Sequence, residues 1–423
     1  MLTLKVITEN QPEVVRQLAK KHFDAQEITD RIIAMDATRR SAQTELDANL
    51  TELNRVSKTI GMLMKEGKTK EAEDAKANVS RMKEANKTLE ETKNRAESDV
   101  HELLMLIPNL PHTSVPEGKG ADDNVCEKTG GVIPELPADA LPHWDLAKKY
   151  DLIDFELGVK ITGAGFPVYK GYGARLQRAL INFFLDKART AGFMEIEPPY
   201  MVNTDSGYGT GQLPDKEGQM YYANADDLYL IPTAEVPVTN IYRDIILNES
   251  DLPIKNTAYS ACFRREAGSY GKDVRGLNRL HQFNKVEIVC IDTPAHSYQM
   301  LQEMVDYVQT LVEQLGLPWR ILRLCGGDMS FTSALTFDFE VFSAAQKRWL
   351  EVSSVSNFEN YQANRLKCRY RDENKKIQLC HTLNGSALAL PRIVAALLEN
   401  NQTPDGIRIP QALTPYTGFD IIR

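Results

Sequence analysis

Between Ala25 and Leu104 the chain has no proline and only two glycines, Gly61 and Gly67, and its large apolar residues recur at sevenfold spacing. Leu46, Leu53 and Ile60 form one row, with Leu50 and Met64 on its companion; Met82, Leu89, Ala96 and Leu103 form a second. A seven-residue repeat keeps one stripe of side chains on one face of a slightly underwound helix, so two such helices bury their stripes against each other. The stretch KEGKTKEAE, Lys65 to Glu73, separates the rows and has a glycine but no large apolar residue. The simplest reading is an antiparallel hairpin of two helices, each about forty residues and roughly 60 Å long, with that stretch at its tip. Thr92 and Lys93 fall near the second seam, which leaves a plain dimerisation coil as the competing reading.

A run rich in proline, glycine and polar residues, Ile107 to Asn124, follows as a linker. Beyond it, short β-branched and aromatic runs alternate with helical stretches, the texture of a globular domain. Ala174 to Gly192 reads as a helix with Leu176, Leu180, Phe183 and Phe184 on one stripe, Lys187 and Arg189 in its last turns and a glycine stop. FMEIEPPYMV follows as a strand-like run broken by Pro198 and Pro199. The division expected is 1–110 for the N-terminal helical domain, its arm spanning about 26–104, and 111–423 for the second domain.

Of the 423 residues, 42% are hydrophobic, and the formal charge is −8 with a pI of about 5.6. That balance argues against a DNA-coating protein and confines any nucleic-acid contact to a local patch. The six cysteines are scattered with no C-x-x-C pair, so neither zinc nor a disulfide framework is expected, and a reducing cytoplasm suits them. The N-terminus lacks the pattern of a secretory signal, and no apolar run is long enough to span a bilayer.

Against this acidic background, FRREAGSYGKDVRG, Phe263 to Gly276, holds four cations and three glycines. The flanking runs read as strands of a hairpin. TAYSACFRRE sets Arg264 and Glu266 on one face with Cys262; NRLHQFNKVEIVCI sets Leu280, Val286, Ile288 and Cys290 on one face and Arg279, His281, Phe283, Lys285 and Glu287 on the other. A solvated charged face has much the same composition. An aromatic ring amid arginines is better suited to a nucleotide, with guanidinium groups forking onto phosphates and the ring stacked on the base. A phosphate loop is excluded, because GSYGKD has Asp273 where Ser or Thr should stand. In RWLEVSSVSNF, Arg348 to Phe358, Glu351 and Ser354 are hard-oxygen donors suited to Mg²⁺ on a triphosphate, but a flat strand does not put them on the same side, so the pair requires a bulge or a strand end. HTLNGSALALPRIVAALLEN, His381 to Asn400, reads as strand, tight turn and helix, with Arg392 near the helix start, where a cation opposes the dipole.

The F-x-x-I-x-x-P-Y-M string, F-R-x-E with its trailing arginine hairpin, and a small-residue run entering a helix with arginine resemble the three motifs of class II aminoacyl-tRNA synthetases. GYGTGQLP, LIPTAEVPVTN and HTLNGS, with the long helical hairpin, narrow the resemblance to seryl-tRNA synthetases of the bacterial type. It covers essentially the whole chain. It implies an α+β fold with an antiparallel catalytic sheet flanked by helices, activation of L-serine by ATP to seryl-adenylate, and transfer to tRNA(Ser), with tRNA(Sec) also served where present. A carrier-loading paralogue and a catalytically dead nucleotide-binding scaffold are the alternatives.

The resemblance also implies roles. Arg264 clamps the α-phosphate, with Glu266 toward the adenine, Phe283 stacked on it and Arg392 covering its other face. Arg275 or Arg279 reaches the γ-phosphate; Arg265, Leu280, Val352 and Ser353 complete the ATP site; Glu351 and Ser354 hold Mg²⁺. Arg264, Glu351 and Arg392 carry the catalysis. Thr233, Ala234, Glu235, Arg264 and Asn384 bind serine, whose hydroxyl is read by Glu287 and Ser386. Pro199 lies in a homodimer interface. Arg31, Arg39, Arg40, Arg55, Lys58, Lys65, Lys68 and Lys70 on the arm contact tRNA phosphates. Ala387, Ala389 and Pro391, where the family's third motif is richer in glycine, and Arg265, where a serine is expected, depart from the pattern.

Overall fold

A computed structural model describes residues 1–215, 217–267 and 275–423. It divides into two compact units: Leu2–Ala19 with Phe23–Pro108, and Met1 with Lys20–His22 and Asn109–Arg423.

The first unit is helical. Helix α1, Leu4–Ala19, is followed by α2, Gln26–Lys65, and α3, Thr69–Met105, which pack along each other as the expected hairpin. The turn falls at residues 66–68, inside the predicted tip, with Gly67 at φ +71. The seam is the row of Leu46, Leu53 and Ile60, facing Met82, Leu89, Ala96 and Leu103, all buried or half-buried. The companion row differs from expectation: Leu50 is 42% exposed and Met64 54% exposed. The buried positions of α2 nearer its start are Thr29, Ile32, Asp36, Ala42 and Leu46. On α3, Asn86 is buried and Lys93 half-buried, so polar side chains do sit in this seam, while Thr92 is exposed.

The second unit is built on one large sheet of eight strands. In chain order these are β1 Val125–Gly130, β2 Met194–Glu195, β3 Ile254–Phe263, β4 Gln282–Asp292, β5 Trp319–Arg323, β6 Leu335–Ser343, β7 Arg348–Asn357 and β8 His381–Ala389. Their spatial order is β1-β5-β6-β7-β8-β4-β3-β2, antiparallel throughout except for the edge pair β2–β3. Helices α4 His143–Lys149, α5 Gly171–Thr190, α6 Ser297–Gln314 and α7 Leu390–Asn400 belong to this unit.

One sheet face forms the core. Val286, Ile288 and Cys290 of β4, Leu350, Val352 and Val355 of β7 and Leu383 and Ala387 of β8 pack with Leu176, Leu180, Phe183 and Phe184 of α5 and with the apolar stripes of α6 and α7. The opposite face is polar over its centre. That two-faced pattern is the period-2 alternation legible in NRLHQFNKVEIVCI. Two readings shift. No tight turn separates strand from helix in His381–Asn400; β8 continues to Ala389 and passes directly into α7, whose second residue is Pro391. His281 leaves the polar face, since regular pairing begins only at Gln282; its ring stacks on Phe166 and shares a 2.9 Å hydrogen bond with Tyr221 Oη.

Candidate active site

The polar face of the sheet floors a cavity of about 580 Å³, ample for a nucleotide with a small amino acid. Strand register explains its floor. β4 and β8 place Glu287 opposite Ser386, and β7 and β8 place Ser356 opposite Asn384. β7 carries the bulge that Glu351 and Ser354 require: Ser353 pairs with Phe339 while Glu351 pairs with Glu340, leaving Val352 as the extra residue. The parity switch is visible in the core, where Leu350 and Val352 point inward before the bulge and Val355 after it. Glu351 and Ser354 accordingly both line the cavity.

Of the residues expected at the site, Thr233, Glu235, Arg264, Glu266, Arg279, Leu280, Phe283, Glu287, Glu351, Val352, Ser353, Ser354, Asn384, Ser386 and Arg392 line this one cavity. Three stand elsewhere. Ala234 is buried among Val238, Ala258 and Val289. Arg265 offers its backbone N–H to Gln219 O at 2.9 Å. Arg275 lies with its guanidinium 4.4 Å above the Trp144 ring. Between the legs of the hairpin, residues 268–274, with Gly271, Lys272 and Asp273, lie outside the described residues.

Two subsites differ in electrostatics. At one end Arg264 sits 5.2 Å from the Phe283 ring centroid and donates from Nε to Pro232 O at 3.4 Å. Arg279 donates to Glu266 Oε2 at 3.0 Å. Arg392 donates from Nε to Asn278 O at 3.1 Å and from Nη1 to Glu351 O at 2.7 Å, with the Glu351 carboxylate 3.6 Å away. Behind Glu351, Asp338 accepts from Ser354 Oγ; burial and the Glu351 charge push its carboxyl well above the ordinary range. Two acids and a hydroxyl that crowd in this way fit a hard divalent cation, whose charge would relieve the repulsion.

At the other end lie Glu235, Lys285 and Glu287, all nearly fully buried. Lys285 Nζ is 2.5 Å from Glu287 Oε2, but without hydrogen-bond alignment. Glu235 Oε1 accepts from Gln362 Nε2 at 2.6 Å, and Gln362 is itself fixed by Thr382 Oγ1 at 2.7 Å and by Thr210 O at 3.1 Å. Burial, reinforced by Glu287, pushes the Glu235 carboxyl up to about 7, against the pull of Gln362, Lys285 and Arg264. Lys285 is legible on the polar face of its strand from the alternation alone, whereas Asp338 and Gln362 carry no local signal, since their partners Ser354, Glu235 and Thr382 lie elsewhere in the sequence.

The seryl-tRNA synthetase N-terminal domain model matches residues 1–111, and that of the tRNA synthetase class II core domain (G, H, P, S and T) matches residues 219–401. A serine–tRNA ligase of Salinibacter ruber is 53% identical over 421 residues, spanning 99% of this chain and 98% of that protein. The chain belongs to the seryl-tRNA synthetase family. The serine–tRNA ligase of Akkermansia muciniphila is 48% identical over 100% of this chain and 99% of its own length. Among solved structures, the seryl-tRNA synthetase of Pyrococcus horikoshii complexed with ATP superposes with a TM-score of 0.95 at 33% identity, covering 100% of this chain and 99% of that one. The cytoplasmic serine–tRNA ligase of Naegleria fowleri in complex with AMP gives 0.89 at 27% identity, covering 100% and 99%. The α+β architecture and the helical hairpin read from the sequence are those of this family.

The expected tRNA contacts lie on α2, the tip and the start of α3. All are exposed except the half-buried Arg39. Asp36 pairs with both Arg39, at 2.7 Å, and Arg40, at 2.9 Å; Arg55 pairs with Glu52 at 2.6 Å and Lys68 with Glu66 at 2.9 Å. No helix among the described residues is long and apolar enough to cross a membrane.

Proposed function

We propose that this chain activates L-serine with ATP, forming seryl-adenylate and pyrophosphate, and then transfers serine to the 3′ end of tRNA(Ser). The observation that carries the reading is one cavity holding an arginine–phenylalanine end beside a buried carboxylate end. In the first step a serine carboxylate oxygen attacks the α-phosphorus and the bond to the pyrophosphate oxygen breaks. The attacking group is ionised at neutral pH, so no enzymic base is needed; placement and charge neutralisation suffice. Arg264 takes the α-phosphate, Phe283 and Arg392 enclose the adenine, Glu266 faces its edge and Arg279 takes the γ-phosphate. Arg275 reaches that phosphate only by leaving Trp144. Glu351 and Ser354 would hold Mg²⁺, with Asp338 accepting from Ser354 behind them, and the cation would neutralise triphosphate charge. Glu235 and Thr233 receive the serine ammonium together with Asn384, and Glu287 and Ser386 read its hydroxyl.

In the second step a ribose hydroxyl attacks the acyl carbon and AMP departs. The unit containing α2 and α3 supplies the tRNA contacts, with Arg31, Arg39, Arg40, Arg55, Lys58, Lys65, Lys68 and Lys70 on phosphates. Chain 1–110 is thus assigned to tRNA binding and 111–423 to catalysis, in a homodimer whose interface includes Pro199. Unpaired cysteines, five of them buried, support a cytoplasmic setting. Incubation with labelled serine, Mg·ATP and deacylated tRNA tests the reading. Label in alkali-labile ester linkage to tRNA(Ser) is expected; label on a carrier protein instead, or on nothing, contradicts it.

A further inference from the structure

Beyond the cavity wall lies a buried polar network that no step above uses. His143, at the start of α4, and Glu399, near the end of α7, are both 0% exposed. Glu399 Oε1 lies 2.7 Å from His143 Nδ1, accepts from the His143 backbone N–H at 2.9 Å and from Gln346 Nε2 at 3.0 Å, while Oε2 accepts from Ser343 Oγ. These donors hold the Glu399 carboxyl below its ordinary range despite its burial. On the far side of the imidazole, Nε2 accepts the backbone N–H of Leu277 at 2.8 Å. A peptide N–H only donates, so Nε2 is the bare nitrogen and Nδ1 carries its proton toward Glu399. A second arm leaves the same carboxylate: Gln346 Oε1 accepts from Asn278 Nδ2 at 3.0 Å.

Both arms end on one backbone segment, residues 276–279. That segment carries Leu277, Asn278 and Arg279 into the cavity wall, and its Asn278 carbonyl receives Arg392 Nε. Gly276 permits the close approach: it has φ +66, and an added Cβ would lie 2.2 Å from His143 Nε2. None of the serine-end residues is carried by the segment.

We propose that His143 and Gln346, both held by Glu399, are positioning residues that preorganise the returning leg of the arginine hairpin for ATP. Without the anchor the leg must be ordered when nucleotide binds, which weakens ATP binding and leaves serine binding alone. The proposal rests on the ATP reading above. His143→Asn and His143→Gln separate a positioning role from a packing role. The Asn amide keeps a donor toward Glu399 but ends short of Leu277; the longer Gln places an acceptor where Nε2 stood. In serine-dependent ATP–pyrophosphate exchange, His143→Asn raises KM for ATP about tenfold, the effect of one lost hydrogen bond, with KM for serine unchanged. Gln346→Ala adds to that rise, and His143→Gln stays within about threefold of the parent. The proposal is overturned if Asn and Gln variants share one KM for ATP, if ATP and serine KM rise together, or if only Tm falls. A parent chain without exchange removes the ATP reading and this proposal with it, whereas a parent with full exchange and indifferent variants removes this proposal alone.

Discussion

Arg264 is the side chain on which the proposed phosphate chemistry turns, because its guanidinium already lies against the ring proposed to stack on adenine. Its replacement by alanine is expected to lower the exchange rate by about 10²–10³, the usual effect of removing one transition-state donor, with little change in Tm. Glu287 sits opposite Ser386 on the pleat, in contact with Lys285. A site built to bond a hydroxyl rejects the analogue lacking it by about 10⁴–10⁵, so Glu287→Ala should collapse the preference for serine over alanine in the same assay. An unchanged ratio would remove Glu287 from that role. Glu235 gives a pH dependence with a definite sign. Its folded-state value of about 7 lies above the ordinary carboxyl range, so the charged form appears only as pH rises through about 7. Ligand-free stability therefore declines as pH rises from the ordinary carboxyl range to about 7, while serine, proposed to meet Glu235 as an ammonium, should bind better above it. Serine affinity measured calorimetrically should weaken by up to about tenfold per unit below that point, and Glu235→Gln should flatten the profile. A flat profile in the parent would show that Glu235 does not face the ammonium.

Among the elements, the hairpin and β7 show what a sequence exposes and what it withholds. The rows Leu46–Leu53–Ile60 and Met82–Leu89–Ala96–Leu103 were legible because a seam repeats one local rule many times over. Leu50 and Met64 were misplaced because apolar character marks a candidate for burial and not burial itself; which neighbouring row meets the partner helix depends on both helices. Leu46→Ala is accordingly expected to cost about 2–4 kcal/mol in the unfolding of the helical unit, followed by circular dichroism, and Leu50→Ala under about 0.5 kcal/mol. Equal losses would refute this seam. In β7 the need for a bulge was readable from Glu351 and Ser354, but its position at Val352 emerges only from pairing with β6. The alternation of β4 likewise separated Val286 and Ile288 from Phe283 and Glu287, whereas His281 followed a contact with Tyr221 and Phe166 from distant parts of the chain. Asp338, Gln362 and Glu399 were illegible for the same reason: each is polar, buried and defined by partners tens to hundreds of residues away.

At the scale of the whole molecule, the chain separates into two compact units. The large sheet with its cavity contains every group proposed for adenylate formation, and the hairpin every group proposed for holding tRNA. Deleting about Ile28 to Val100 should therefore spare pyrophosphate exchange and abolish tRNA charging; loss of both would mean that the units are not separable in function. The account stands on one cavity receiving ATP and serine side by side. Pyrophosphate exchange by the intact chain, run with Mg·ATP and each amino acid in turn, probes that directly. Serine alone should drive exchange, with alanine and glycine lower by about 10⁴ or more. No exchange with serine, or exchange with another amino acid at an equal rate, would contradict it.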